Sequence, residues 1–218
     1  MVSVAHAEDS SSANANTGIS ILHIERASAG VLTVQPVEGP SFLVREVYVA
    51  EPLRTSLAPG VHLDGEQAAA LISSARSFLA ERQAMALLAR AEQCRFLLDR
   101  KLERKGYAPK ERSLALDYLE SMKYLDDSRF CEAWLRNRGI HRHEGAIRLV
   151  CELRSRGIER HIAESAVAAF GLTVSELEQC CIAREKLVKR GKEGKKLLDA
   201  LIRKGFSSRT IRECLKKK

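Results

Sequence analysis

Lysine does not occur in the first 79 residues of this 218-residue chain, and aromatic residues supply only 5% of the whole, with a single Trp. The missing lysines leave residues 1–79 with four Arg against eight acidic residues, a balance of −4 in a chain whose net charge is +8. The basic excess is crowded toward the other end, where residues 182–218 hold 14 basic and 4 acidic residues. A polyanionic partner would therefore meet the C-terminal part of the chain. With aromatics scarce, Leu, Ala, Arg, Lys and Glu dominate; these residues lose little side-chain freedom in a helix, so a mostly helical chain is expected. The six cysteines, Cys94, Cys131, Cys151, Cys180, Cys181 and Cys214, form no Cys-x-x-Cys pair. Most sit on apolar helical faces, which argues for reduced thiols and an intracellular protein. No run of about 18 apolar residues occurs, and the N-terminus lacks the apolar core of a signal peptide, so the expectation is a cytoplasmic protein without membrane association.

What is present divides along the chain. Residues 1–18, rich in Ser, Ala and Asn, read as a disordered tail because they cannot offset the entropy of being ordered. Residues 19–61 read as a small β-rich domain: three β-branched runs, Ile19–Arg26, Val31–Gln35 and Phe42–Ala50, are separated by turn-forming residues and suggest an antiparallel meander. Asp64 with Gln67 three residues on has the spacing of a capping box, and helix is expected from there onward. Apolar residues then recur at three and four, as in Ala68, Leu71, Ile72, Ala75 and Phe78.

One pattern repeats. Leu102-Glu-Arg-Lys-Gly106-Tyr107, Leu153-Arg-Ser-Arg-Gly157-Ile158 and Leu201-Ile-Arg-Lys-Gly205-Phe206 are spaced by 51 and 48 residues, each with an apolar residue ten positions past the glycine: Leu116, Val167 and Leu215. Each reads as a helix ended by a left-handed glycine, with basic residues in its last turn where the helix dipole favours them. Three in register indicate a duplicated unit of roughly three helices. The fold class expected is mainly α, tandem three-helix repeats in an extended curved array, with a small N-terminal antiparallel sheet. The limits are 62–127 for a linking helix and the first repeat, 128–172 for the second, and 173–218 for the third with its basic terminus.

Catalytic chemistry is not apparent. Gly191-Lys-Glu-Gly-Lys-Lys196 lacks phosphate-loop spacing. His141 and His143, two apart on a helix, have no partner at ligand spacing and read as a solvated loop between helices. Cys180-Cys181 reads as helix packing rather than a redox pair. Asp126-Asp127 precedes a helix, where an N-cap with favourable charge is one reading and a salt-bridging hinge between repeats, using Arg129, is the other. The expected cofactor and metal complement is none, and the chain is read as a non-enzyme.

The run Ala84-x-x-Leu-Leu-x-Arg90-x-Glu92-x-Cys94-x-x-x-Leu98-x-x-x-Leu102-x-x-Lys105-Gly106-Tyr107, followed by Tyr124-Leu-Asp-Asp-Ser-Arg-Phe130 and Gly145-x-x-x-Leu149-x-x-x-Leu153-x-x-Arg156-Gly157-Ile158, resembles the RecX regulatory proteins over about residues 62–218. Cys94 stands where that family usually has Ser, which weakens a helix cap, and Arg112 stands in a usually apolar slot. The resemblance implies a regulator that binds in the groove of the RecA filament and limits its ATPase, strand-exchange and coprotease activities. Its setting would be homologous recombination, DNA repair and the SOS response, with RecA as partner, weak non-specific contact to single-stranded DNA, and a monomeric state. The competing function is a stand-alone helix-turn-helix DNA binder, but no single helix gathers the Arg, Asn and Gln expected for base readout. Candidate contacts are Arg104, Lys105, Arg154, Arg156, Lys195, Lys196, Arg203 and Lys204, set at equivalent helix ends or nearby; the alternative is that they only complement helix dipoles. Gly106, Gly157, Gly205, Asp126 and Asp127 are expected to be structural.

Overall fold

A computed structural model describes residues 18–217; of the expected disordered tail, all but Gly18 lies outside the described residues. The described residues divide into two compact units, one of residues 18–82 and 107–115, the other of residues 83–106 and 116–217.

The first unit is built on a sheet. Strands β1 (Ile19–Ser28), β2 (Val31–Pro36) and β3 (Phe42–Arg45) form the expected meander, and a fourth, β4 (His62–Leu63), pairs with the outer side of β1 to give the order β3-β2-β1-β4, all antiparallel. The third β-branched run was expected to continue to Ala50, but the strand stops at Arg45 and Glu46–Tyr48 turns into a 3-10 helix. The turn lowers the Tyr48 hydroxyl onto Glu81, to which it donates at 2.8 Å, while the Arg45 Nε donates to the same carboxylate at 2.7 Å. A short helix α1 (Leu53–Ser56) follows, then α2 (Gly65–Leu88). The capping box is present as expected: Gln67 N–H donates to Asp64 Oδ1 at 2.9 Å and Asp64 N–H to Gln67 Oε1 at 3.1 Å. Ile21, Val34, Val44 and Leu63 from the sheet meet Ala68, Leu71 and Ala75 of α2 in one core.

The second unit is helical. Its elements are α3 (Arg95–Glu103), the end of α4 (Pro109–Ser121), α5 (Asp127–Arg142), α6 (Ala146–Arg154), α7 (Arg160–Thr173), α8 (Glu176–Val188), α9 (Gly194–Arg203) and α10 (Ser208–Lys216). Cys131, Leu135, Leu149, Leu153, Ala163 and Val167 fill a core among α5, α6 and α7, and Cys180, Ala183, Leu197, Leu201, Ile211 and Cys214 fill a second among α8, α9 and α10. The protein is thus mainly α, with a small antiparallel sheet. Leu116 and Val167 are buried ten positions past their glycines, but Leu215 is 44% exposed and Cys214, one position earlier, takes the buried slot.

Candidate functional site

The three repeat glycines adopt φ of +82°, +81° and +85°, the left-handed region that a side chain resists, and they end α3, α6 and α9 respectively. Ile158 N–H then reaches back to Leu153 O at 3.3 Å and Phe206 N–H to Leu201 O at 3.4 Å, which folds Ile158 and Phe206 into the cores. A fourth turn of this kind was not anticipated: Leu187-Val-Lys-Arg-Gly191 ends α8 with φ +73°, and Lys192 N–H donates to Leu187 O at 3.1 Å. A Lys follows this glycine where the others have an apolar residue, which is why it escaped the pattern. The phosphate-loop lookalike at residues 191–196 is therefore a helix end followed by a helix start.

The glycine turns also dock on other helices. The start of α3 lies against the turn after α6: the Cys94 thiol donates to Arg156 O at 3.2 Å, and a Cβ on Gly157 would collide with Phe96. The start of α6 lies in the same way against the turn after α9: Gly145 N–H donates to Lys204 O at 2.9 Å, a Cβ on Gly145 would strike the Gly205 carbonyl, and one on Gly205 would strike the backbone of Arg148.

Each docked helix start is capped from a neighbouring helix. Asp127 Oδ1 accepts from Arg95 N–H at 2.8 Å, and Glu176 Oε1 accepts from Ala146 N–H at 2.9 Å. Asp127 and Glu176 are the first residues of α5 and α8, so each caps a helix other than its own, α3 and α6 respectively. Asp126 caps its own helix, accepting from the N–H groups of Ser128 and Arg129 at 2.8 and 3.1 Å. Arg129 adds an ion pair to Glu92 at 2.6 Å and donates to the carbonyls of Lys123 and Tyr124. The N-cap reading thus describes Asp126, whereas the salt bridge of the other reading runs from Arg129 to Glu92 and neither aspartate joins an ion pair among the described residues. Burial raises the Asp127 pKa above its usual value, the bond from Arg95 N–H opposing this only in part. Cys94 accepts no capping bond, as the substitution of Ser by Cys led one to expect, and Asp127 fills the role.

The eight basic candidates separate by exposure. Arg104, Lys105, Arg154, Lys195, Lys196 and Arg203 are exposed and join no ion pair among the described residues. Lys204 is half-buried and donates to the carbonyls of Arg142 and His143 at 2.9 and 3.2 Å, closing the end of α5; burial lowers its pKa. Arg156 lies 5.0 Å from the centre of the Trp134 ring and pairs with Glu152 at 3.0 Å.

Around Trp134 the sequence reading missed a network. The Arg138 guanidinium lies 5.0 Å from the same ring and pairs with Glu144 at 2.7 Å, while Arg148 pairs with Glu144 at 3.0 Å and Glu152 at 3.3 Å. The bond from Arg156, with Arg138 and Arg148 nearby, holds the Glu152 carboxyl below its usual pKa. The i, i+4 spacing of Arg148, Glu152 and Arg156 was the available signal. His143 is not in a solvated loop: it ends α5, half-buried, with Nδ1 2.7 Å from Gln179 Oε1 and Nε2 2.7 Å from Lys186 Nζ. No group of three metal-ligating residues occurs among the described residues. Burial pushes the thiols of Cys131 and Cys180 up to about 11 and about 12, the reverse of what thiolate chemistry needs.

The family model described as the second three-helix domain of RecX matches residues 126–167, which span α5, α6 and most of α7. The regulatory protein RecX of Treponema pallidum (strain Nichols) is 35% identical over 156 residues, 72% of this chain and 95% of that protein. This chain belongs to the RecX family. The RecX of Xanthomonas citri is 32% identical over 137 residues, covering 60% of this chain and 82% of its own. A crystal structure of a regulatory protein RecX superposes with a TM-score of 0.72 over 91% of this chain and all of that one, at 20% identity. RecX from Lactobacillus salivarius gives 0.58 over 65% and 96%. RecX proteins are named as regulators, not enzymes. Among the described residues no single helix is long and apolar enough to cross a membrane.

Proposed function

We propose that this RecX chain binds the RecA nucleoprotein filament and inhibits its ATPase, strand-exchange and coprotease activities. The observation that carries the reading is the set of exposed basic side chains, Arg104, Lys105, Arg154 and Arg203, that join no ion pair among the described residues and stand beside three glycine turns of one geometry. A filament is itself a repeating polyanion-containing surface, and cations presented once per repeat suit one. Contact with single-stranded DNA is auxiliary, through counterion release, and the working form is a cytoplasmic monomer divided at residues 19–61, 62–127, 128–172 and 173–218.

The test is RecA ATPase with RecA already assembled on single-stranded DNA. Equimolar protein should suppress it, and the triple reversal Arg104→Glu, Arg154→Glu, Arg203→Glu should relieve the suppression without changing the circular dichroism spectrum. An ATPase indifferent to the unmutated protein would overturn the reading.

A further inference from the structure

None of the basic residues at the glycine turns explains the outer face of α5. There Trp134, Asn137, Arg138, His141 and Arg142, at helical spacing, line an open cavity of about 340 Å³. Trp134 is the only tryptophan of the chain. Its ring is half-buried against the α5–α7 core, so its position is set by packing. The Arg138 guanidinium lies at the ring, its Nε and NH2 nitrogens held at 2.7 and 3.2 Å by the Glu144 carboxylate, whose side chain is 7% exposed. Arg156 lies at the same distance from the ring, so an aromatic ring and two planar guanidiniums are fixed together at one end of the cavity, with Arg138 the one of the two that lines it. The other end is different: His141 and Arg142 are exposed, and neither joins an ion pair among the described residues. Asn137 is exposed between the two ends.

We propose that this face is a binding site for single-stranded nucleic acid. A splayed-out base stacks on the Arg138 guanidinium plane beside Trp134, the Asn137 amide meets its edge with a donor and an acceptor, and Arg142 with His141 takes the adjoining phosphate. A duplex keeps its bases stacked on one another and cannot offer that contact. The carboxylates that could compete, Glu144 and Glu152, are already engaged by Arg138, Arg148 and Arg156, so the free charge of the site is positive. The cavity is at the small end of ligand pockets, about 300–1,000 Å³, and being open it suits a segment of a polymer better than an enclosed small molecule. The site deepens the filament reading and rests on it for the presence of a single strand.

The single tryptophan supplies the measurement. Unlabelled oligothymidylate titrated into the full chain at low salt should change Trp134 emission saturably, and a duplex of equal length should not. Arg142→Glu should weaken binding roughly tenfold and lower the salt slope by about 1, whereas the charge-matched Arg209→Glu on α10 should leave the Trp134 signal intact. Asn137→Ala, which alters no charge, should weaken single-strand binding and keep the salt slope. Equal losses in Arg142→Glu and Arg209→Glu would mean diffuse attraction and overturn the site. So would oligonucleotide binding that leaves Trp134 emission unmoved, or polyglutamate producing the same saturable change, which would assign the face to an acidic protein segment. RecA ATPase measured on the same samples separates the two proposals. Protein that inhibits RecA but shows no oligothymidylate response overturns this site alone, and protein that binds the oligonucleotide but spares RecA overturns the filament reading alone.

Discussion

The turn after α6 and the turn after α9 receive a helix start in the same way, yet they are made of different atoms. At the first, a thiol and an aromatic ring stand between the partners: Cys94 donates to Arg156 O and Phe96 covers Gly157. At the second nothing stands between them, since Gly145 donates through its own N–H to Lys204 O and faces the Gly205 carbonyl directly. The geometry is therefore shared while its tolerance is not. Rotation can carry the Phe96 ring away but not its Cβ, so the first contact is relieved in part without moving α3, whereas two backbones in contact can separate only by moving helices.

The largest expected effect follows from that difference. Gly205→Ala combines a left-handed φ of +85° with a collision against the Arg148 backbone, and it should cost about 3–5 kcal/mol in urea or guanidinium unfolding. Gly145→Ala has only the collision and should cost about 2–3 kcal/mol. At the first joint Gly157→Ala meets Cβ and Cγ of Phe96; rotation can move Cγ and the ring but not Cβ, so one fixed atom opposes it where Gly205→Ala meets three, and with its own φ of +81° the loss should be somewhat smaller than for Gly205→Ala, about 2–4 kcal/mol. Gly106→Ala serves as the reference, because its added carbon meets no heavy atom within 4 Å and only the φ of +82° is strained, for about 1–2 kcal/mol. Equal losses at Gly106 and Gly205 would show that the docking contributes nothing and that the glycines act through conformation alone.

This contrast also marks where the sequence is readable. A left-handed helix end leaves a local trace, glycine after basic residues with a fixed flank, and Gly106, Gly157 and Gly205 could be placed from it. The capping box at Asp64 and Gln67 is local in the same sense. What Gly157 and Gly205 dock against is not local: Cys94 and Arg156, or Gly145 and Lys204, lie some sixty residues apart with no shared pattern. The caps between helices are hidden for a further reason. Asp127 and Glu176 look like ordinary acidic residues in a first helical turn, and only the fold reveals that their oxygens serve another helix. Strand β4, two residues long, has no alternation to detect, and the buried Arg45–Glu81 pair joins residues 36 positions apart. The charge gradient suggested a positive surface, but it could not separate Arg203, which is exposed, from Lys204, which closes α5.

The network beside the first joint gives a smaller effect that depends on pH. Arg156, then Arg138 and Arg148, hold the Glu152 carboxyl below its usual value of 4.5, so the folded state favours the ionised form more than the unfolded state does. That contribution is complete above 4.5 and disappears as pH falls through the depressed folded value. Glu152→Gln should lower Tm at neutral pH, and the gap from the unmutated protein should close in acid, where Glu152 is protonated and resembles Gln. A gap that persists unchanged in acid would assign the loss to packing and remove the charge argument.

The smallest change tests whether the first joint could have been built with more ordinary chemistry. Cys94 is fully buried at the N-cap of α3, where its thiol donates weakly to Arg156 O and caps nothing. Ser at this position would keep a donor for that carbonyl and bring an oxygen that can accept from the first turn, as caps commonly do. Against this, the hydroxyl is more costly to bury than a thiol unless it is bonded, and the shorter C–O bond leaves a small gap where sulfur now fills space. Both of its bonding directions have a partner here, so Cys94→Ser should raise stability by less than about 1 kcal/mol. A loss of more than about 1 kcal/mol would mean that sulfur volume, not hydrogen bonding, holds α3 on the Gly157 turn.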